Sequence, residues 1–416
     1  MKKRVSKFPF FYGWFLLGCV CLVGIARQGP AVATTSLFVA PMSEEFGWSR
    51  AVFSGAVSLG GLLAAFASPL LGLVMDRFGA RVILIFAVTL TSFSCLSLST
   101  INSLLPFYIF FCIARMSFAG PFDLGIYGVI NNWFVQRRPV ATAIANVAQA
   151  AGLACMPLIA SFAILGGNWR DGWLGIGVMV LIFGLIPACF LKFRQPEDIG
   201  LFPDGRDYDP LSAGQDIETN IIAKEPEFSR KEALRCPAFW MLSLFTLMVF
   251  PVQAGVSLHQ APHLLERGLT GMEAAATISL FPLCGAAMTM VTGLVARKIS
   301  ARILLAVAGA ILALSTVFML HITILIDGLL ASVLFGMALG MILTLLPVAW
   351  ADFFGRKNYG SIRGISLAIQ VTAQATGPII SGIMWDATGD YGLSLWTFTA
   401  MSIFSIFFAL SARPPK

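Results

Sequence analysis

Three charged residues stand well inside long apolar stretches: Arg27, Arg115 and Asp123. A charge at the centre of a hydrocarbon layer costs about 2.5–3.5 kcal/mol on insertion scales, so each requires a partner, water or a ligand. Two guanidiniums, each a planar fork of donors, suit a carboxylate or another small anion. The second reading of both is structural: Arg115 bonded to the first apolar run, Arg27 anchoring that run. Asp123 lies eight residues beyond Arg115, about 12 Å of helical rise, too far for a direct bond without side-chain reach or water. A carboxylate held out of water there is a candidate proton carrier, or else a structural partner for an arginine. The two arginines are expected near mid-depth with no carboxylate at their own level.

Neutral polar groups accompany these charges. Tyr127, Asn146, Gln149, Gln253, Gln260, Gln370 and Gln374 all fall within apolar runs. Buried amides must be satisfied, so they gather at helix interfaces or at a cavity, and both readings stand. Gln370 and Gln374 share one helical face. His259 and His263 are one turn apart, a spacing compatible with a metal but without carboxylate or thiol neighbours, so they read as solvated or pore-lining histidines. Of the eight cysteines, all but Cys236 lie in apolar runs and act as small hydrophobes, and Cys19-x-Cys21 is no zinc set. Neither a nucleophile with its base nor a metal set is found at matching depth, which argues against an enzyme. A nucleotide-driven pump needs Gly-x4-Gly-Lys-Ser/Thr, which the chain lacks. No cofactor or metal is expected.

The elements that hold these residues are set by a composition that is 57% hydrophobic and 12% charged over 416 residues, with a mean hydropathy of +0.83. Water is not the main solvent of such a chain. Apolar runs at about 11–39, 50–74, 82–101, 104–132, 139–164, 172–191, 238–261, 273–296, 303–322, 325–351, 361–384 and 392–411 each meet the roughly 20 residues that a bilayer crossing needs. The basic N-terminus with its apolar stretch resembles a signal peptide, but the stretch is too long and lacks a small-residue cleavage site, so it reads as an uncleaved first span. Alternating the connections places 23 Lys and Arg on the side of both termini and 3 on the other. The positive-inside rule therefore assigns both termini, and residues 192–236, to the cytoplasm. The basic excess reflects topology rather than a nucleic-acid partner. Residues 192–236 contain four prolines and ten acidic residues and no spanning run, so they form a linker between a bundle at 1–191 and another at 237–416. An internal repeat supports this division. Gly72-Leu-Val-Met-Asp-Arg-Phe-Gly-Ala-Arg81 is echoed at 293–302, Phe134 and Arg137 by Phe354 and Lys357, and Pro157 by Pro378, at offsets of 220–221. The expected fold is all-α and polytopic, twelve transmembrane helices in two pseudo-symmetric six-helix bundles. Ala150-Ala-Gly152, Pro157 and Gly377-Pro378 are expected to allow close packing and bending.

Gly72-x3-Asp76-Arg77-x-Gly79-x-Arg81, with its degenerate second copy, resembles the signature loop of the major facilitator superfamily. That resemblance implies a cytoplasmic gate, in which glycines let the second and eleventh helices approach and Asp76 at a helix end pairs with arginines. Within the superfamily, Tyr12-Gly-Trp14, Asn132-Trp-Phe-Val-Gln-Arg-Arg-Pro-Val-Ala141 and Phe353-Phe-Gly-Arg-Lys-Asn-Tyr-Gly-Ser-Ile-Arg-Gly364 resemble the monocarboxylate porter and oxalate/formate antiporter branch. Segments 274–295 and 364–385 depart from that branch in carrying no charged residue. The resemblance implies a monomeric inner-membrane transporter whose first, fourth, seventh and tenth helices line a cavity open to each side in turn. Its substrate is expected to be a small organic anion, a carboxylate, moved by symport with protons or antiport against another anion. Tyr127, Asn146, Gln149, Gln253, His259, Gln370 and Gln374 then join Arg27 and Arg115 as substrate-binding candidates. The alternatives are a carrier of a larger amphipathic compound such as a drug, a siderophore or an aromatic acid, since the seventh, eighth and tenth helices are rich in Phe and Met, and a non-transporting receptor on the same fold.

Overall fold

The computed structural model describes residues 11–165, 168–205 and 226–415. Lys2, Lys3, Arg4, Lys7 and the middle of the expected linker lie outside the described residues. Among those described, twelve helices are long and apolar enough to cross a bilayer, and no strand occurs. They are α1 (Tyr12–Phe46), α2 (Val52–Phe78), α3 (Ala80–Leu98), α4 (Leu104–Trp133), α5 (Arg138–Ile164), α6 (Trp169–Phe190), α7 (Pro237–Glu266), α8 (Gly271–Val295), α9 (Ala301–Leu320), α10 (Leu325–Phe354), α11 (Tyr359–Thr388) and α12 (Gly392–Ser411). The twelve-helix membrane fold follows from hydropathy, because backbone polar groups in hydrocarbon must be satisfied within each segment.

Two helices are broken where the sequence forbids continuation. α1 consists of Tyr12–Arg27 and Val32–Phe46, parted at Gln28-Gly29-Pro30-Ala31. α4 consists of Leu104–Ala119 and Pro121–Trp133, parted at Gly120, whose φ of −106° and ψ of −90° are not helical. In both, a proline that cannot donate follows a glycine that tolerates the bend. α6 widens into a π turn over Leu181–Leu185.

The chain forms two compact units, Met1–Ser229 with Phe354–Ala368, and Arg230–Phe353 with Ile369–Lys416. The first ten residues of α11 therefore pack in unit 1, and the expected 192–236 linker is shared between the units at residue 229. Within unit 1, α1 packs on α5, and α3 on α4 and α6. Phe38 stacks on Trp173 at 4.1 Å between centroids, and Trp133, Trp173 and Phe111 are wholly buried. Gly152 of α5 lies so close to the Ile25 backbone of α1 that a Cβ would stand 2.7 Å from it. Within unit 2, α12 packs on α9 and α7. Gly336 and Gly340 of α10 face the backbone of Phe281 and Gly285 in α8 without room for a side chain, and Gly377 does the same against Pro251. Small residues thus set the closest helix approaches, as expected in lipid where van der Waals packing dominates association.

Candidate functional site

The break in α4 generates the first part of the site. The last carbonyls of Leu104–Ala119 have no partner within their own helix, and the helix opening at Pro121 favours negative charge in its first turn. Arg27, the last residue of its own α1 segment, donates Nε–H to the Phe118 carbonyl at 3.0 Å. Asp123 occupies the first turn beyond the break and is buried. Arg27 NH2 lies 3.8 Å from Asp123 Oδ2, and Arg363 NH2 donates to Asp123 Oδ1 at 3.0 Å. One carboxylate is therefore held between two guanidiniums.

The network continues through neutral groups. Arg27 NH1 donates to Gln149 Oε1 at 2.7 Å. Gln149 Nε2 donates to Asn146 Oδ1 at 3.3 Å, and the Tyr127 hydroxyl donates to the same oxygen at 2.6 Å. α1, α4, α5 and the start of α11 are joined in one chain of bonds from Tyr127 to Arg363. Such a chain rigidifies when every member is satisfied.

Arg115 is the exception. Its Cβ and Cγ pass over Gly60 of α2, where a side chain would collide at 2.6 Å. Its guanidinium carbon lies 4.5 Å from the centre of the Phe118 ring, and that of Arg27 lies 4.8 Å from the same ring. Nε and NH1 of Arg115 are buried without an acceptor among the described residues. A ring face attracts a cation, but it accepts none of the planar fork's directional bonds.

The signature loop forms a second region in unit 1. Gly72 lies directly under the Gly360 carbonyl, leaving no space for a Cβ. The Asp76 carboxylate accepts from the Gly360 N–H at 2.8 Å and the Ser361 N–H at 2.7 Å. This corrects the expectation that Asp76 pairs with arginines: its partners are the free amides opening α11, where the helix dipole also favours an anion. Arg194 donates to the main-chain oxygen of Asp76 rather than to its carboxylate. Gly79 adopts φ +87°, a conformation that favours glycine, at the turn into α3. Arg77 and Arg81 are exposed. Arg77 lies 5.3 Å from the Phe78 ring centre, and neither pairs with a carboxylate among the described residues.

Unit 2 holds the remaining candidates. Gln374 Nε2 donates to Gln253 Oε1 at 3.0 Å between α11 and α7, and Gln370 is half-buried one turn earlier. His259 bonds through Nδ1 to the Tyr391 hydroxyl at 3.2 Å and through Nε2 to the Pro378 carbonyl at 3.4 Å. His263 Nε2 meets the Met319 carbonyl at 2.8 Å, and Gln260 donates to Ser332. Both histidines line a narrow pocket with Gln260, Ser381, Ser394 and Tyr391. Burial, with Glu266 nearby, pushes the Tyr391 phenol above its ordinary range.

Three placements correct the sequence reading. Arg27 does have a carboxylate at its level, because the α4 break turns Asp123 toward it. Arg363, counted among the loop cations, is inside α11 and 1% exposed. Arg138, counted likewise, is also 1% exposed and donates to the carbonyls of Phe134 at 3.1 Å and Asn131 at 3.3 Å. Both stand in stretches whose resemblance was noted. The available signal was a buried Asp123 that needed a cation from another helix.

Comparison with known proteins agrees with this architecture. The family model described as Major Facilitator Superfamily matches residues 16–370. Human monocarboxylate transporter 11 is 24% identical over 342 residues, covering 79% of this chain and 68% of that protein. The oxalate:formate antiporter of Oxalobacter formigenes is 22% identical over 230 residues, 55% of this chain and 50% of that protein. The membrane sensor protein UhpC of Salmonella typhimurium is 29% identical over 153 residues, 36% of this chain and 34% of that protein. Among solved structures, the proton:xylose symporter XylE superimposes with a TM-score of 0.74 at 16% identity, covering 95% of each chain. The monocarboxylate transporter and the oxalate:formate antiporter match the branch suggested by the three quoted stretches, and family and fold are those of transporters rather than enzymes. With the family model spanning most of its length and twelve membrane helices in place, the chain belongs to the Major Facilitator Superfamily.

Proposed function

We propose that this transporter moves a small organic anion, a carboxylate, across the inner membrane by alternating access, with both termini cytoplasmic. The observation that carries the reading is Arg115: a guanidinium with buried Nε and NH1 and no acceptor among the described residues. A buried cation left so is strongly unfavourable unless a ligand completes it. Arg27 and Arg363 flank the Asp123 carboxylate, and together with Arg115 these guanidiniums outnumber that carboxylate, an excess of positive charge that a bound anion reduces. The carboxylate binds to the fork of Arg115, with the Phe118 ring and the Tyr127, Asn146 and Gln149 network beside it. Asp123 serves as the ion-pair partner of Arg27 and Arg363, and Asp76 closes the cytoplasmic gate on the amides of α11. Transport is driven by protons or by exchange of a second anion. The names of the monocarboxylate and oxalate:formate relatives support the substrate class.

A thermal-shift screen of purified protein against monocarboxylates, dicarboxylates and aromatic acids tests this, since a ligand of the folded state raises its melting temperature. Stabilisation by a carboxylate that disappears in Arg115→Gln is expected. Stabilisation by neutral or cationic amphiphiles instead overturns the anion reading. The UhpC likeness supports a receptor as the second reading, and binding without counterflow in proteoliposomes establishes it.

A further inference from the structure

The first stretch after α6 has the geometry of a fastener rather than of a spacer. Asp204, at φ +63° and 7% exposed, accepts from three consecutive main-chain amides of the α4–α5 turn. They are Val135 at 3.2 Å and Gln136 at 2.8 Å on Oδ2, and Arg137 at 3.1 Å on Oδ1. A non-glycine residue in the left-handed region is strained unless its surroundings hold it there, and three amides on one carboxylate do so. Gly205, at φ +74°, lies against the Phe11 ring. Upstream, Asp198 Oδ2 accepts from the amides of Arg194 at 3.0 Å and Gln195 at 3.1 Å, closing a tight turn that presents Glu197 outward. Arg194 reaches the main chain of Asp76 from the same turn.

Glu197 meets the segment that joins α10 to α11. Arg356 binds both of its carboxylate oxygens, NH1 to Oε2 at 3.3 Å and NH2 to Oε1, and NH1 also donates to the Asn132 carbonyl at 3.0 Å. The far end of the linker grips the same segment. Lys357 pairs with Glu227 at 2.6 Å, Asn358 Nδ2 donates to the Phe228 carbonyl at 2.8 Å, and the Phe228 amide donates to the Phe354 carbonyl at 3.3 Å. The amides that Asp76 receives begin at Gly360, four residues after Arg356.

We propose that the linker residues Glu197 and Asp204 are positioning residues of the gate: Asp204 fastens the linker to unit 1, and Glu197 clasps Arg356 so that the α11 amides stay on Asp76. The chemistry assigns them different duties. Asp204 binds main chain of the α4–α5 turn, apart from the α11 amides, and holds through the cycle. Glu197 binds a guanidinium on a segment that must leave whenever the α11 amides leave Asp76, and a half-exposed ion pair is weak enough to open. The proposal rests on the alternating-access reading but not on any substrate.

Hydrogen exchange read by mass spectrometry on the full-length protein in nanodiscs tests it without a ligand, so a failed carboxylate screen leaves its outcome unaffected. In Glu197→Gln, the amides over 359–364 are expected to exchange about three- to five-fold faster, the range of one half-exposed, bidentate ion pair. Amides of α9 are expected to be unchanged. The paired swap Glu197→Arg with Arg356→Glu is expected to return exchange over 359–364 toward wild type from the level of either swapped residue alone. Asp204→Asn is expected to free 133–137 as well. Unchanged exchange over 359–364 in Glu197→Gln, an equal rise in α9, or a swap that leaves exchange as fast as its single members overturns the proposal.

Discussion

Arg115 and Asp123 are opposite cases of a buried charge, and their variants are expected to behave oppositely. Asp123 is fully engaged by Arg27 and Arg363, so Asp123→Asn leaves two guanidiniums facing a neutral amide. Breaking a buried pair by removing one partner costs roughly 3–5 kcal/mol, and melting temperature and yield should fall accordingly. Replacing Arg363 by Gln in the same protein should recover part of the loss, and a double variant less stable than Asp123→Asn contradicts the pairing. Arg115 has no acceptor to lose among the described residues. Arg115→Leu should raise the melting temperature of ligand-free protein while abolishing anion-induced stabilisation, the usual relation between an unsatisfied site and its function. Arg115→Lys keeps the charge but not the fork, and should weaken carboxylate binding by about ten-fold or more with the fold intact. Equal ligand shifts in wild type and Arg115→Lys would remove Arg115 from the site. The sequence already marked both residues, since a charge inside an apolar run stands out. Arg363 escaped because it stands only two residues into the run that begins at 361 and was counted with the connection before it, whereas α11 begins at Tyr359 with its first amides donating to a carboxylate from α2.

At the level of elements, glycines decide which helices meet. Gly72 and Gly360 touch through main chain, which cannot rotate away as a side chain can. Gly72→Val should therefore push the start of α11 off α2 and accelerate exchange at Gly360 and Ser361, with α9 unaffected. Protection at wild-type level in that variant contradicts the close approach. The helices themselves were legible, because 20 apolar residues in succession have few alternatives. Their ends were less so: α1 continues to Phe46 through Thr34, Thr35 and Pro41, where falling hydropathy suggests an exit near residue 39. The breaks at Gln28–Ala31 and Gly120 are visible as Gly-Pro pairs. Their consequence, a free carbonyl for Arg27 and a helix start for Asp123, depends on how α1 and α4 pack and is not encoded in either stretch alone.

For the whole molecule, the distribution of 23 basic residues against 3, or 21 against 3 once the buried Arg138 and Arg363 are set aside, predicts that the linker faces the cytoplasm. Gln215→Cys should resist an impermeant maleimide in intact cells and react after permeabilisation, with peptide-level detection separating it from the native thiols; strong labelling of intact cells inverts the topology. The repeat suggests a division into six and six, but the membership of Phe354–Ala368 in unit 1 was not legible, since it arises from Asp76, Asp123 and Glu197, all on the other half of the sequence. That exchange bears on biogenesis. Asp204 and the turn at 133–137 are both made before α7, so their fastening needs nothing made later. The amides and the guanidinium that complete Asp76 and Asp123 emerge from the ribosome about 150 residues afterwards. Domains generally fold as they are synthesised, N-terminal first. The nascent first half must then wait in the membrane with two carboxylates partly unanswered, exposed to quality control until the final pair of helices is inserted.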